Sequence, residues 1–187
     1  MRIGVYVGSF DPIHKGHVSI INHIISKKYV DKILLIPTGN YWDKQCNSKL
    51  IDRINMCKYY KSDTIEIVED NNLLPYTYML LEELNKKYKN DELYLIIGAD
   101  NIKTFDLWKN VNSIIENNHI LIIPRDGIDI NKYVGNNNKF IIVSDFKMID
   151  ISSSDIRKMI RDNNSDVLRY IDKDIYKYIK NNRLYEE

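Results

Sequence analysis

The stretch RIGVYVGSFDPIHKGH, residues 2–17, decides the fold. Ile3 to Val7 is a short β-branched strand, and Gly8, Ser9, Asp11 and Pro12 supply turn chemistry. A helix then runs from about His14 to Lys28, with Val18, Ile21, Ile24 and Ile25 on one face at the 3.6-residue period. Gly8 can take a positive φ and lets another chain or a ligand approach the backbone closely. His14 and His17 are three apart and share a face in the first turn, with Gly16 leaving space between them. Orphan N–H groups and the positive helix end make such a place an anion site. Two imidazoles and a row of amides are therefore presented to one anion.

Outward from this unit, strands and helices keep alternating. Lys32 to Ile36 is a strand ended by Pro37 and Gly39, and Lys49 to Tyr60 reads as a helix. Thr64 to Val68 is a strand, and Tyr76 to Tyr88 a helix with Met79, Leu80 and Leu84 inward. Glu92 to Ile97, His119 to Ile123 and Lys139 to Val143 are further strands, with a helix around Val111 to Asn117. From Ser152 onward only helical patterns remain. Alternation of this kind implies an α/β fold, a doubly wound parallel sheet covered on both faces, with a small C-terminal helical segment over about 152–187. Ligands in such sheets sit beyond the carboxyl ends of strands, where strand order reverses. No linker or repeat divides the chain, so residues 1–187 are expected to form one domain.

Composition sets the outer limits. The 187 residues carry 27 Lys+Arg against 26 Asp+Glu, a formal charge of +1, so no bulk field draws nucleic acid or an anionic membrane. No apolar run reaches membrane-spanning length, and the opening residues are strand-like rather than a targeting signal. Cys46 and Cys57 have no CxxC spacing and read as reduced thiols, which places the protein in the cytoplasm. The wealth of Ile, Asn, Lys and Tyr reads as coding bias from an AT-rich genome. His23 and His119 read as ordinary surface or core histidines. GxGxxG and Walker-type GKS or GKT patterns are missing, and no protein-held metal centre is expected.

The segment GSFDPIHKGH resembles the HxGH signature of the nucleotidylyltransferase superfamily. A second signature of that superfamily, ISSTxxR, is matched by Ile151-Ser152-Ser153-Ser154-Asp155-Ile156-Arg157. Ser152 to Asp155 also has the form of a capping box, and an ordinary helix cap is the alternative for that segment alone. Pro75-Tyr76-Thr77 with Leu80-Leu81-Glu82-Glu83-Leu84 is similar to a stretch of the bacterial nicotinate-nucleotide adenylyltransferases. So is Ile96-Ile97-Gly98-Ala99-Asp100 with Phe105 and Trp108-Lys109, while Lys44 and Arg53 stand at matching places after Pro37.

The resemblance implies transfer of AMP from ATP to nicotinate mononucleotide, giving nicotinate adenine dinucleotide and pyrophosphate in NAD biosynthesis. It implies that His14 and His17 contact the ATP phosphates, that Lys44, Arg157, Ser152 and Ser153 complete the phosphate cradle, and that Gly8, Ser9, Phe10, Gly16 and Ile151 belong to the ATP site. Gly98 and Asp100 would hold the adenosine ribose. Trp108 would stack on the nicotinate ring, and amides near Thr77 and Tyr78 would receive its carboxylate. Mg2+ would bridge substrate oxygens. Ser9 stands where the family usually has Gly, and Tyr41-Trp42-Asp43 where it has Pro-Pro-His. Alternatives are a nicotinamide mononucleotide or pantetheine-phosphate adenylyltransferase, or a nucleotide-binding module without catalysis. His14, where the pantetheine-phosphate enzymes have Thr, speaks against that second alternative. Preference between the two pyridine mononucleotides and the presence of a homo-oligomer stay open.

Overall fold

The computed structural model describes residues 1–39, 46–69 and 74–186. Its strands are β1 (Arg2–Gly8), β2 (Lys32–Pro37), β3 (Ile65–Ile67), β4 (Glu92–Gly98), β5 (His119–Ile123) and β6 (Phe140–Ile142). They form one sheet in the order β3-β2-β1-β4-β5-β6, every neighbouring pair parallel. The chain winds outward one way from β1, then crosses to β4 and winds the other way. The reversal between β1 and β4 opens a crevice at their carboxyl ends.

Side-chain alternation along the strands sorts the core into two layers. Tyr6, Ile33, Leu35, Tyr94 and Ile96 face one side. There they meet α1 (Lys15–Ser26), α2 (Leu50–Lys58), α7 (Ser153–Arg161) and α8 (Lys173–Asn181) through Ile21, Ile24, Met56, Ile156, Ile160, Ile175 and Ile179. Ile3, Val5, Leu34, Ile36, Leu93, Leu95 and Ile97 face the other, against α3 (Thr77–Lys87), α4 (Ala99–Ile102) and α5 (Val111–Asn117). The C-terminal helices thus complete the layer begun by α1, the helix that carries both histidines. Strands buried on both faces explain why each reads as a continuous apolar run.

The expected helices and strands are present with ends shifted by a residue or two, and the differences have local causes. In α3, Leu81 joins Leu80 and Leu84 in the core while Met79 is half-buried, because the apolar stripe is centred one position later. On α1, Ile20 is buried and Val18 and Ile25 are only partly so. Helix α4, the 3-10 turn Phe105–Leu107 and α6 (Asn131–Val134) lie in segments too short to show a period. Among the described residues no helix is long and apolar enough to cross a membrane.

Candidate active site

Strand β1 delivers the chain to the crevice, and the turn after it is built around Phe10 rather than Gly8. Gly8 is absent from the positive-φ glycines, and Phe10 takes the left-handed conformation at φ 47°. The reversal folds the Phe10 ring back over Gly8, so a Cβ there would lie 2.9 Å from Phe10 Cζ. The glycine is needed for that close approach rather than for a positive φ. The Phe10 ring also meets Tyr6 edge-on at 5.4 Å and His17 at 5.0 Å between centroids.

His14 is the N-cap of α1, and the two histidines cap the helix reciprocally. His14 Nδ1 accepts from the Gly16 N–H at 3.1 Å, and His17 Nδ1 accepts from the His14 N–H at 3.3 Å. The rings stack with centroids 3.8 Å apart. The amide of Lys15 donates to Tyr170 O at 2.8 Å and that of His17 to His14 O at 2.9 Å. The expected row of amides open to an anion is therefore not there at α1, because all three first-turn N–H groups are spent within the protein. The imidazoles take their place. A backbone N–H only donates, so each Nδ1 is the bare nitrogen and each Nε2 carries the hydrogen. Burial lowers the pKa of His14 to about 4, against a smaller upward pull from Asp155. Burial first, then the neighbouring His14, holds His17 well below the ordinary imidazole range. Both are neutral Nε2–H donors at pH 7.

Gly16 is buried between the rings and the second signature. A Cβ on it would stand 2.9 Å from His14 Nδ1 and Cε1 and 3.2 Å from Ile151 Cγ2. At α7 the capping box read from the sequence is formed: Ser152 Oγ accepts from the Asp155 N–H at 3.2 Å, and Asp155 Oδ2 accepts from the Ser152 N–H at 3.0 Å. The two signatures touch directly, since Ser153 Oγ donates to Pro12 O at 2.9 Å and Arg157 Nη1 donates to Asp11 O at 2.7 Å.

Two cavities flank the ends of β1 and β4, one of about 390 Å³ and one of about 410 Å³. Tyr6, Ser9, His17, Gly98 and Asn101 line both. The first also gathers His14, Gly16, Asp100, Ile151, Ser152 and Ser153, most of the residues expected to hold ATP, whereas Gly8 and Phe10, expected there too, line only the second. Asp100, in the first turn of α4, is paired there with Arg125. The second cavity gathers Gly8, Phe10, Thr77 and Trp108, whose indole packs at 5.1 Å against Phe105. Helix α3 begins at this cavity without a side-chain cap at Tyr76.

Two expected site residues, Tyr78 and Arg157, stand apart from the cleft cavities. Lys44 lies outside the described residues, as does Trp42. The Tyr78 ring stacks on Tyr76 at 5.8 Å between centroids, and Tyr78 lines a separate cavity of about 250 Å³ between α3 and α5 rather than either cleft cavity. Arg157 lines neither cleft cavity; its guanidinium is held by Asp11 O and by Ser154 Oγ at 3.0 Å.

Sequence reasoning missed the supports beneath the site. Arg53 is 1% exposed and donates through Nη1 to Ser9 O and Thr38 O at 2.6 and 2.5 Å, joining the loops after β1 and β2. Asp11, read as turn chemistry, is 3% exposed and accepts from the Asn47 N–H, Ser48 Oγ and Tyr185 Oη. The hint for Asp11 was its place inside the signature, and that for Arg53 its match to the family pattern after Pro37, though not its buried role; nothing flagged Tyr185.

A doubly wound sheet with paired N–H donors at the β1–β4 reversal, between a phosphate-suited cavity and an aromatic one, defines an α/β nucleotide-handling protein. A model of the cytidylyltransferase-like family matches residues 5–159. A relative in Clostridium tetani, named "Probable nicotinate-nucleotide adenylyltransferase", is 32% identical over 97% of both chains. One of the same name in Borrelia garinii subsp. bavariensis is 34% identical over 99% of this chain and 95% of its own. A solved Plasmodium falciparum nicotinic acid mononucleotide adenylyltransferase, complexed with NaAD, shares the fold with a TM-score of 0.81, 24% identity and coverage of 99% and 97%. The chain belongs to the cytidylyltransferase-like family and, within it, to the nicotinate-nucleotide adenylyltransferases.

Proposed function

We propose that the protein transfers the adenylyl group of ATP to nicotinate mononucleotide, releasing pyrophosphate and nicotinate adenine dinucleotide. The observation that carries this reading is the reciprocal histidine cap at the wall between the two cavities. With both Nδ1 atoms tied to amides, both Nε2–H groups are left for the ligand side, and His17 lines both cavities. A phosphate oxygen of the acceptor attacks the α-phosphorus of ATP, the bond to the bridging α–β oxygen breaks, and pyrophosphate leaves. The acceptor phosphate is already ionised, so no general base is required and positioning plus charge stabilisation suffice. Fixed N–H donors act where charge develops, in a site partly closed to water. Ser152 and Ser153 at the α7 N-terminus complete the triphosphate side, with Arg157 and Lys44 assigned to the same cradle by resemblance. Asp100 takes the adenosine ribose, Trp108 the pyridine ring, and the Thr77 and Tyr78 amides its carboxylate.

ATP enters as its Mg2+ complex. The donor set here, N–H and hydroxyl groups, suits phosphate oxygens rather than a cation. The described residues hold no cluster of three His, Cys, Asp or Glu. On this reading the ion comes with the substrate, where it offsets phosphate charge. The same reading treats residues 1–187 as one domain and the two free cysteines as those of a cytoplasmic protein.

Purified protein with ATP, Mg2+ and nicotinate mononucleotide should release pyrophosphate, and His17→Ala should lower kcat by at least about 10²-fold with the fold retained. Turnover with phosphopantetheine but with neither pyridine mononucleotide would overturn the assignment, as would ATP binding with no turnover of any acceptor.

A further inference from the structure

Helix α8 ends at Asn181 with Asn182 as its C-cap, and the residues after it reverse direction. Arg183 and Tyr185 take positive φ values of 51° and 64°, and the Leu184 N–H closes back on Ile179 O at 3.0 Å. A left-handed tyrosine is disfavoured on its own and persists where the surroundings hold it. Here the reversal sends the Tyr185 ring into the α1 layer of the core, where it is 7% exposed. Its hydroxyl donates to Asp11 Oδ1 at 2.7 Å. Ser48 Oγ donates to the same oxygen at 2.5 Å, and the Asn47 N–H to Oδ2 at 2.6 Å. The buried carboxylate is thus satisfied by donors 36, 37 and 174 residues away in the chain.

On its backbone side, the same residue accepts the Arg157 guanidinium, and Pro12 accepts Ser153. Two residues later the chain reaches His14. The turn from Asp11 to His14 is therefore gripped through Asp11's side chain from one side and through two carbonyls from the other. A buried carboxylate that loses one of its donors must move or recruit water, because leaving it unsatisfied is costly. Movement there passes directly to His14 and Arg157.

We propose that Tyr185 is a positioning residue for the reaction: its hydroxyl, acting through Asp11, sets the turn that aims His14 and seats Arg157. This rests on the adenylyl transfer proposed above. Nothing in the sequence signatures reaches this far along the chain, so the residues after α8 act as part of the site's foundation rather than as a tail.

The test compares steady-state pyrophosphate release by the wild type, Tyr185→Phe and Tyr178→Phe. Tyr178 is a fair control, because its hydroxyl, on α8 just before that reversal, donates to Asp52 and accepts from Asn55 and does not bond Asp11. Tyr185→Phe should lower kcat about tenfold, since misplacement of a group near the chemistry by an ångström costs on the order of 10²-fold. The KM for ATP should change by less than about threefold, and Tyr178→Phe should stay within about twofold of wild type. Combined with Arg157→Lys, the loss should be smaller than the product of the single losses, because both changes act on one turn. Ring NMR signals of His14 and His17 should shift in Tyr185→Phe and in Ser48→Ala, which removes the other hydroxyl from the same oxygen, and not in Tyr178→Phe. A Tyr185→Phe kcat within twofold of wild type, an equal loss in Tyr178→Phe, multiplicative losses or unmoved ring signals would each overturn the proposal. A wild type that releases no pyrophosphate would count against adenylyl transfer, while the ring signals still test the grip on Asp11.

Discussion

Acidification from pH 7 to pH 5 should weaken the fold through His14, by an amount the structure allows to be worked out. The folded pKa of about 4 lies below the ordinary value of 6.5 for an exposed imidazole. Between those values the unfolded chain takes up a proton that the folded chain refuses. The stabilisation is therefore fully present above pH 6.5 and is lost progressively as pH falls towards 4. For a single such group the loss between pH 7 and pH 5 comes to about 2 kcal/mol, or roughly 4–8 °C in Tm for a domain of this size. His17 is shifted in the same direction chiefly by burial, which stays when His14 is changed, so a variant reads mainly the His14 share. His14→Asn is the right perturbation, because Asn caps a helix well and does not titrate here. Urea unfolding of both proteins at pH 7, 6 and 5 should show the gap between them shifting by about 2 kcal/mol in the variant's favour on acidification. Parallel pH dependence, with the gap constant to within about 0.5 kcal/mol, would refute the claim that burial keeps His14 neutral.

Gly16→Ala should cost about 1–3 kcal/mol in urea unfolding and cut turnover, because the added carbon meets the His14 ring at 2.9 Å; an active variant of wild-type stability would count against the close packing. Arg53→Ala should lower stability by about 3 kcal/mol by leaving Ser9 O and Thr38 O without their donor, a loss visible as a lower Tm. Lys109 places its ammonium 4.3 Å from the Tyr76 ring centroid, at the edge of the acceptor cavity that Tyr76 lines. Lys109→Met should reduce the kcat/KM preference for nicotinate over nicotinamide mononucleotide by about threefold, the size of one screened charge at roughly 7 Å in water.

Much of the fold was legible because each strand is buried on both faces and each long helix is apolar on one. Ile3 to Val7 and His119 to Ile123 could hardly be anything else, and their alternation with helices implied a parallel sheet. Most residues proposed to hold ATP were legible for a different reason: they are packed into two short signatures, and each sits at a helix start where local chemistry speaks. The supports were not. Arg53 lies mid-helix in a polar stretch and is buried only because the loops after β1 and β2 close over it. Tyr185 meets Asp11 only after the whole sheet is wound, and no period or spacing encodes a contact 174 residues long. Likewise, which first-turn amides of α1 remain open depends on Tyr170 O, brought in by the last part of the chain.

The reciprocal cap on α1 bears on how freely this protein can vary. Enzymes often trade activity against stability, since polar groups gathered for chemistry strain the fold and inert replacements relieve it. At the mouth of α1 two opposite debts meet in the same atoms. Burying neutral imidazoles carries a penalty only in acid, whereas each Nδ1 secures a helix end at every pH where the ring is folded in. A lineage that abandoned catalysis by mutating either histidine to an aliphatic residue would keep its fold but lose about 1 kcal/mol of helix capping. The chemistry is thus partly protected from decay by the architecture, and drift at these two positions is steered toward side chains that still cap.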